Sequence, residues 1–218
     1  MKPVCLVIGA GPGIGHSVAQ AFAREGYDIA LAARQPDRLR TFQPSLEKAG
    51  AASRAYAVDA GDEASLRALF AGVRKDLGDP DVVIYNPAAH SVGKPTSLKA
   101  EQLAADFRVN VAGALVCAQE AAGAMKQRGR GTILLTGGGF AHEPAANYAS
   151  LSLGKAALRN LTYSLAQELG GYGIHVATVT VYGFVQSGTH YDPARIAEAY
   201  LRLHRQAPGH FQTELVFK

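Results

Sequence analysis

Short, uninterrupted apolar runs alternate along this chain with stretches in which apolar residues recur every three or four positions. Val4-Cys5-Leu6-Val7-Ile8 is the first run. Five apolar residues in a row, three of them β-branched, predict a strand buried on both faces, as in parallel sheets. Similar runs predict strands at 29–33, 82–85, 132–136 and 174–181, with a weaker one at 53–58 and a last candidate at 214–217. Between them the period changes to that of a helix. Ile14, Val18, Ala21 and Phe22 share one face, with Gly26 placed to stop the helix. Asp62 is positioned to cap a helix carrying Leu66, Leu69, Phe70 and Val73. Leu103, Phe107, Val111, Ala114, Ala118, Ala121 and Met125 step by three or four, which predicts one long helix over 101–128. Leu158, Leu161, Leu165 and Leu169 mark another over 151–170, and Pro193 opens a last one over 193–206. Strand and helix thus alternate about seven times without a linker or low-complexity break. That pattern predicts one α/β domain over 1–218, a doubly wound parallel sheet with helices on both faces.

Composition narrows the function classes. Hydrophobic residues make up 48% and charged residues 18% of 218 positions, a balance suited to a buried core. Lys plus Arg number 22 against 18 Asp plus Glu, and the small excess is spread along the chain. It forms no basic stripe of the kind a nucleic-acid partner requires. No apolar stretch reaches the ~18 residues of a membrane span, and the first residues do not form a secretion signal. Cys5 and Cys117 each sit in an apolar run, a placement that predicts neither disulfide nor metal knuckle and points to a reducing, cytoplasmic setting. Glycine, at 24 of 218, exceeds the usual ~7%, so tight turns or close backbone approaches are expected.

Seven consecutive residues, four of them glycine, carry the first chemistry. Gly9-Ala10-Gly11-Pro12-Gly13-Ile14-Gly15 follows the first strand and opens the first helix. Glycines let backbone N–H groups approach a phosphate, and the helix N-terminus adds a favourable dipole. A lone G-x-G-x-x-G is weak, but the flanking strand and helix supply the context of a Rossmann-like dinucleotide site.

The chain resembles the short-chain dehydrogenase/reductase family. Gly9, Gly13 and Gly15 match its glycine motif, and the resemblance continues through Asp59-Ala60, Asn86-Pro87-Ala88-Ala89, Asn110 and Gly154-Lys155-Ala156-Ala157-Leu158. It implies that Gly9, Gly11, Gly13, Ile14, Gly15, Asp59, Ala60, Asn86, Ala88, Lys155 and Gly183 meet a nicotinamide coenzyme. The second strand ends Leu31-Ala32-Ala33-Arg34. NAD-preferring sites carry a carboxylate here, which would repel a 2′-phosphate. Ala33 removes that repulsion and Arg34 can fork onto the phosphate, so NADP(H) is favoured over NAD(H), with Arg38 a second candidate.

Family enzymes use Asn, Ser, Tyr and Lys, and the resemblance places Asn110 and Lys155 at two of these positions. Leu151 stands where the Tyr is expected, four residues before Lys155, and Gly138 where the Ser is expected. Neither has a hydroxyl, so the general acid worth ~10²–10⁴-fold is missing. Tyr148 is the nearest replacement, but seven residues of helix put it ~10.5 Å from Lys155 in rise, and a packing role fits it as well. Ser150 and Ser152 point to other faces, and His90 and His142 lie in loops expected near the nicotinamide end. Tyr182-Gly183 replaces the usual Pro-Gly, Thr189 is a loose candidate for coenzyme contact, and the segment 184–192 is short for a substrate lid. Two readings stay open: an oxidoreductase of a small carbonyl or alcohol with an atypical site, and a coenzyme-binding protein without turnover. The long helices, with Ala112, Ala114, Ala118, Ala121 and Ala122 on one of them, resemble those through which family members form dimers and tetramers. Packing on the chain's own sheet is the other use for such a face.

Overall fold

The computed structural model describes residues 2–218. Strand β1 (Val4–Ile8) leads through the glycine loop into helix α1 (Ile14–Arg24) and then β2 (Asp28–Ala33). Two short helices, α2 (Pro36–Leu39) and α3 (Gln43–Lys48), precede β3 (Ser53–Ala57), α4 (Glu63–Asp76) and β4 (Val82–Tyr85). Helices α5 (Ala100–Phe107) and α6 (Gly113–Arg128) are joined by a π-helical turn, Arg108–Ala112. Strand β5 (Gly131–Gly138), helix α7 (Ala149–Leu169), β6 (Ile174–Val181), α8 (Pro193–His204) and β7 (Glu214–Phe217) complete the chain.

The seven strands form one parallel sheet in the order β3-β2-β1-β4-β5-β6-β7. Alternate residues of β1 feed two cores. Leu6 and Ile8 pack with Phe70 of α4, Met125 of α6 and Leu158 of α7. Cys5 and Val7 pack with Phe22 of α1, Leu46 of α3 and Tyr200 of α8 on the other face. Helices therefore cover both sides, which is why the strands read as unbroken apolar runs. Cys5 and Cys117 are free and buried.

The ends of the helices follow local chemistry. Asp62 accepts from the Ala64 N–H at 3.0 Å and caps α4, as expected. Gly26 ends the first helical unit at φ +89°, a conformation that suits glycine. Asp192 caps α8 in the same way, ahead of Pro193 in the first turn.

One helix departs from its expected course. The continuous helix predicted over 101–128 is interrupted at Arg108–Ala112. A turn closed by i→i+5 bonds takes in an extra residue, so the inward face shifts along the sequence. Phe107, expected to face inward, is exposed, while Asp106 and Asn110 are buried. Gly113 permits the close approach behind this turn: a Cβ there would lie 2.3 Å from the Ala60 carbonyl oxygen and the Tyr85 hydroxyl. The alanine face also resolves. Ala114, Ala118 and Ala121 are buried in the chain's own core, while Ala112 is exposed and Ala122 half-buried.

Candidate functional site

The strand order reverses direction between β1 and β4, and the glycine loop lies at the carboxyl ends of these strands. Open α/β sheets bind ligands in the crevice at such a switch point. The glycines divide into two kinds. Gly9 has φ +79° and a Cβ on it would lie 2.8 Å from the Pro87 nitrogen. A Cβ on Gly15 would lie 2.6 Å from the Gly9 carbonyl oxygen. These two let strand, helix and the neighbouring β4 loop close together. Gly11 and Gly13 would meet nothing within 4 Å and stand over open space. Helix α1 has no side-chain cap and no acidic residue in its first turn. No backbone carbonyl among the described residues accepts from the Ile14 or Gly15 N–H. An uncapped, positively polarised helix end beneath open glycines suits a phosphate group.

Two cavities flank this loop and share Ala88. The first, about 470 Å³, is bounded by Gly9 and Gly11, by Arg34 at the end of β2, by Asp59 and Ala60 after β3, and by Ala88 and His90 after β4. Arg34 is exposed and, among the described residues, enters no ion pair. The Asp59 carboxylate accepts from the Gly61 N–H at 2.9 Å, so it is partly committed to its own loop. Arg38 does not reach this cavity.

The second cavity, about 490 Å³, has Lys155 and Gly138 at its inner wall and Leu151, Phe140, Tyr182 and Phe184 around it. Ile14, Asn86 and Gly183 also line it. A network sets its floor. The Asn86 side-chain amide donates to the Gly9 carbonyl at 2.9 Å, tying β4 to the glycine loop. The Thr136 hydroxyl donates to Asn86 Oδ1 at 2.8 Å and lies 2.6 Å from the Tyr200 hydroxyl. With its one proton given to Asn86, Thr136 accepts from Tyr200. Lys155 Nζ donates to the Thr136 carbonyl at 2.6 Å. Lys155 is only 6% exposed, and burial pulls its ammonium down to about 8. Thr136 and Tyr200 were not singled out by sequence, because residues 64 apart meet only through the sheet and α8.

Asn110 does not aim its amide into either cavity. Its Oδ1 accepts from the Ala89 N–H at 2.9 Å and its Nδ2 donates to the Ala89 carbonyl at 2.7 Å. It splints the loop after β4, and Gly154 makes room for it: a Cβ there would lie 2.7 Å from Asn110 Nδ2.

The serine hydroxyls near Leu151 are engaged elsewhere. Tyr148 precedes α7 without a side-chain capping bond, stacks on Phe140 at 5.4 Å and lies 6.1 Å from His90 between ring centres. It is not among the residues lining either cavity. Ser150 donates to the buried Asp106 carboxylate, which also accepts from the Ser91 N–H. Ser152 accepts from the Ala145 N–H. His142 bonds Glu214 rather than the cavity. Thr189 turns its hydroxyl onto the Gln186 carbonyl at 2.8 Å, in its own turn, and is absent from both linings. A third and larger cavity, about 650 Å³, lies at the opposite, amino ends of the strands near His175 and Phe211. It is remote from the glycine loop.

Comparison with known proteins places the whole arrangement. A family model described as short chain dehydrogenase matches residues 3–192. The 2,3-dihydro-2,3-dihydroxybenzoate dehydrogenase of Bacillus subtilis is 28% identical over 177 residues, covering 81% of this chain and 68% of that protein. A short-chain dehydrogenase structure from Rhodopseudomonas palustris aligns with a TM-score of 0.89 at 25% identity, over 99% of this chain and 98% of the other. A metagenomic short-chain oxidoreductase solved in complex with NADP aligns with a TM-score of 0.90 at 26% identity, over 98% and 96% of the two chains.

Proposed function

Because this chain belongs to the short-chain dehydrogenase family, we propose that it is an NADP(H)-dependent oxidoreductase of a carbonyl or alcohol, working at an atypical site. The coenzyme, when bound, supplies or accepts the hydride. The residues at the crevice fit it. Ile14 and Gly15 at the open end of α1 offer free backbone N–H groups to a pyrophosphate, and the lack of side chains at Gly11 and Gly13 leaves room for it. Asp59 and Ala60 bound the adenine side, and Lys155 stands at the far cavity. Asn86 and Asn110 hold the walls in place through Gly9 and Ala89.

The observation that carries the choice of NADP(H) is Arg34. Its unpaired guanidinium lines the first cavity beside Ala33, with no carboxylate at the end of β2. A 2′-phosphate would find a forked cation there instead of repulsion. Titration followed by nucleotide fluorescence should show NADPH binding more tightly than NADH. Arg34→Glu should weaken NADPH by at least ~10-fold, or about 1.4 kcal/mol, and narrow or invert the preference. Failure of both nucleotides to bind overturns this reading.

Leu151 and Gly138 favour a second reading, a coenzyme-binding protein without turnover. The pair Gly138→Ser and Leu151→Tyr separates the two. A Cβ at 138 would lie 3.5 Å from Lys155 Cγ, an ordinary contact, so the serine fits. If the wild-type protein is silent and the double variant turns over ketones, the second reading stands. Association as a homodimer or homotetramer fits the exposed Phe107, Leu115 and Leu153 on α5, α6 and α7, and a cytoplasmic setting fits the two free thiols.

A further inference from the structure

The second cavity has an unusual chemical balance. Phe140, Leu151, Val181, Tyr182, Phe184 and Val185 make most of its wall apolar and largely aromatic, while Lys155 puts one buried cation at its inner end. Reduction of an aliphatic ketone leaves an alkoxide about as basic as hydroxide, whose conjugate acid ionises near ~16. Such a product demands a positioned acid as charge develops. No hydroxyl is placed for it at positions 138 or 151, and the one proton source at the inner end is the Lys155 ammonium, which already donates to the Thr136 carbonyl at 2.6 Å. Tyr148 lies outside the lining, and the Thr136 proton is donated to Asn86. Glu143 at the wall is paired with Lys218 at 3.6 Å. The Tyr182 ring lies under Lys218 Nζ, 4.6 Å from its centre, and no hydrogen bond joins its hydroxyl to Lys155 among the described residues.

We propose that this cavity takes a planar quinone, so that the product is a phenol rather than an aliphatic alcohol; this rests on the oxidoreductase reading above. A phenol ionises near ~10, so the anion formed on reduction is about 10⁶-fold less basic than an alkoxide and needs no acid in contact with it. The balance is NADPH + quinone + H⁺ → NADP⁺ + hydroquinone, two electrons passing to the quinone and the proton coming from solvent. Lys155 offsets the developing negative charge from the cavity's inner end, as a fixed cation in a largely apolar site does. The same cation disfavours an iminium substrate, whose positive charge it would repel. The aromatic wall supplies stacking for a flat ring.

Three measurements test this on the full chain. NADPH binding is titrated first. Reduction of 1,4-naphthoquinone and of cyclohexanone is then followed by NADPH consumption, each against the protein-free reaction. Last, quenching of the protein's tyrosine fluorescence by 1,4-naphthoquinone is titrated in the presence of NADP⁺. The expected result is quinone reduction at least ~100-fold faster than ketone reduction, the lower range of what a missing general acid costs. Quinone affinity should fall about 5-fold in Phe184→Ala, a residue 85% exposed whose loss does not threaten the core. NADPH binding without quinone turnover overturns the substrate assignment alone. Absence of NADPH binding overturns the coenzyme reading and this proposal with it. Comparable ketone turnover, above all if Tyr182→Phe abolishes it, makes Tyr182 the acid and overturns the proposal. Quinone affinity indifferent to Phe184→Ala removes the cavity as its site.

Discussion

Lys155 and Glu214 are both held largely out of water, and the protein treats them in opposite ways. The Glu214 carboxylate on β7 receives hydrogen bonds from Arg159 at 2.8 Å, His142 at 2.9 Å, Thr180 at 2.6 Å and Tyr163 at 3.1 Å. Burial alone would raise its pKa, but bonds from Arg159, Thr180 and His142 hold the carboxyl down at about 2. Lys155 has one protein partner, the Thr136 carbonyl, and no countercharge. Burial accordingly pulls it down to about 8. The fold closes the first charge with its own groups and leaves the second facing a cavity. A fully paired buried charge is architecture; a buried charge short of partners is an invitation to a ligand.

The contrast predicts opposite mutational signatures. Lys155→Met should lower turnover by at least ~100-fold and weaken NADPH binding, while leaving thermal stability unchanged or raised, since a lone buried cation opposes folding. A steep fall in melting temperature would show that Lys155 is structural after all. Glu214→Ala should do the reverse. Removing one member of a buried ionic cluster costs about 3 kcal/mol, or roughly 6–12 °C at ~2–4 °C per kcal/mol for a chain of this size. Calorimetry would measure that loss, and NADPH affinity should stay within about twofold, below ~0.4 kcal/mol.

Acidity supplies the gentlest discriminant. Because Glu214 ionises lower in the folded chain than the ordinary 4.5, its stabilisation is complete above that value and is lost as pH falls toward about 2. The lysine behaves oppositely. Its folded value, about 8, lies below the ordinary 10.5, so the penalty of its burial is present below pH 8 and fades as pH rises toward 10.5. Over the same rise the cation disappears, so affinity for an anionic coenzyme should decline through pH 8 while stability does not. An affinity flat across that interval would place Lys155 outside the coenzyme's field.

The two regions were also unequally readable. The glycine loop and Lys155 sit in local patterns, a strand–loop–helix unit and a helical segment, and both appear in the folded chain where the pattern put them. The Glu214 cluster joins residues from β6, β7, α7 and the loop before α7, and no spacing rule brings those together. The same holds for the Tyr200–Thr136–Asn86 relay that supports Lys155. Tyr148 shows the limit from the other side: its spacing from Lys155 says nothing of the ring's neighbours, and in the folded chain it stacks on Phe140.

Apolar runs and helical periodicity dictated the seven-stranded, doubly wound sheet, because a strand covered on both faces must be apolar throughout and a surface helix must not be. The residue types at positions 34, 138, 151 and 155 likewise belong to the chain read as a string. Which way each of them faces does not. The π turn that swings Asn110 inward and Phe107 outward, the commitment of Ser150 and Thr136 to internal partners, and the isolation of Lys155 all depend on neighbours distant in sequence. Hydrogen-bond partners and the degree of burial are set by packing in three dimensions, and it is these that make one buried charge inert and leave the other open to chemistry.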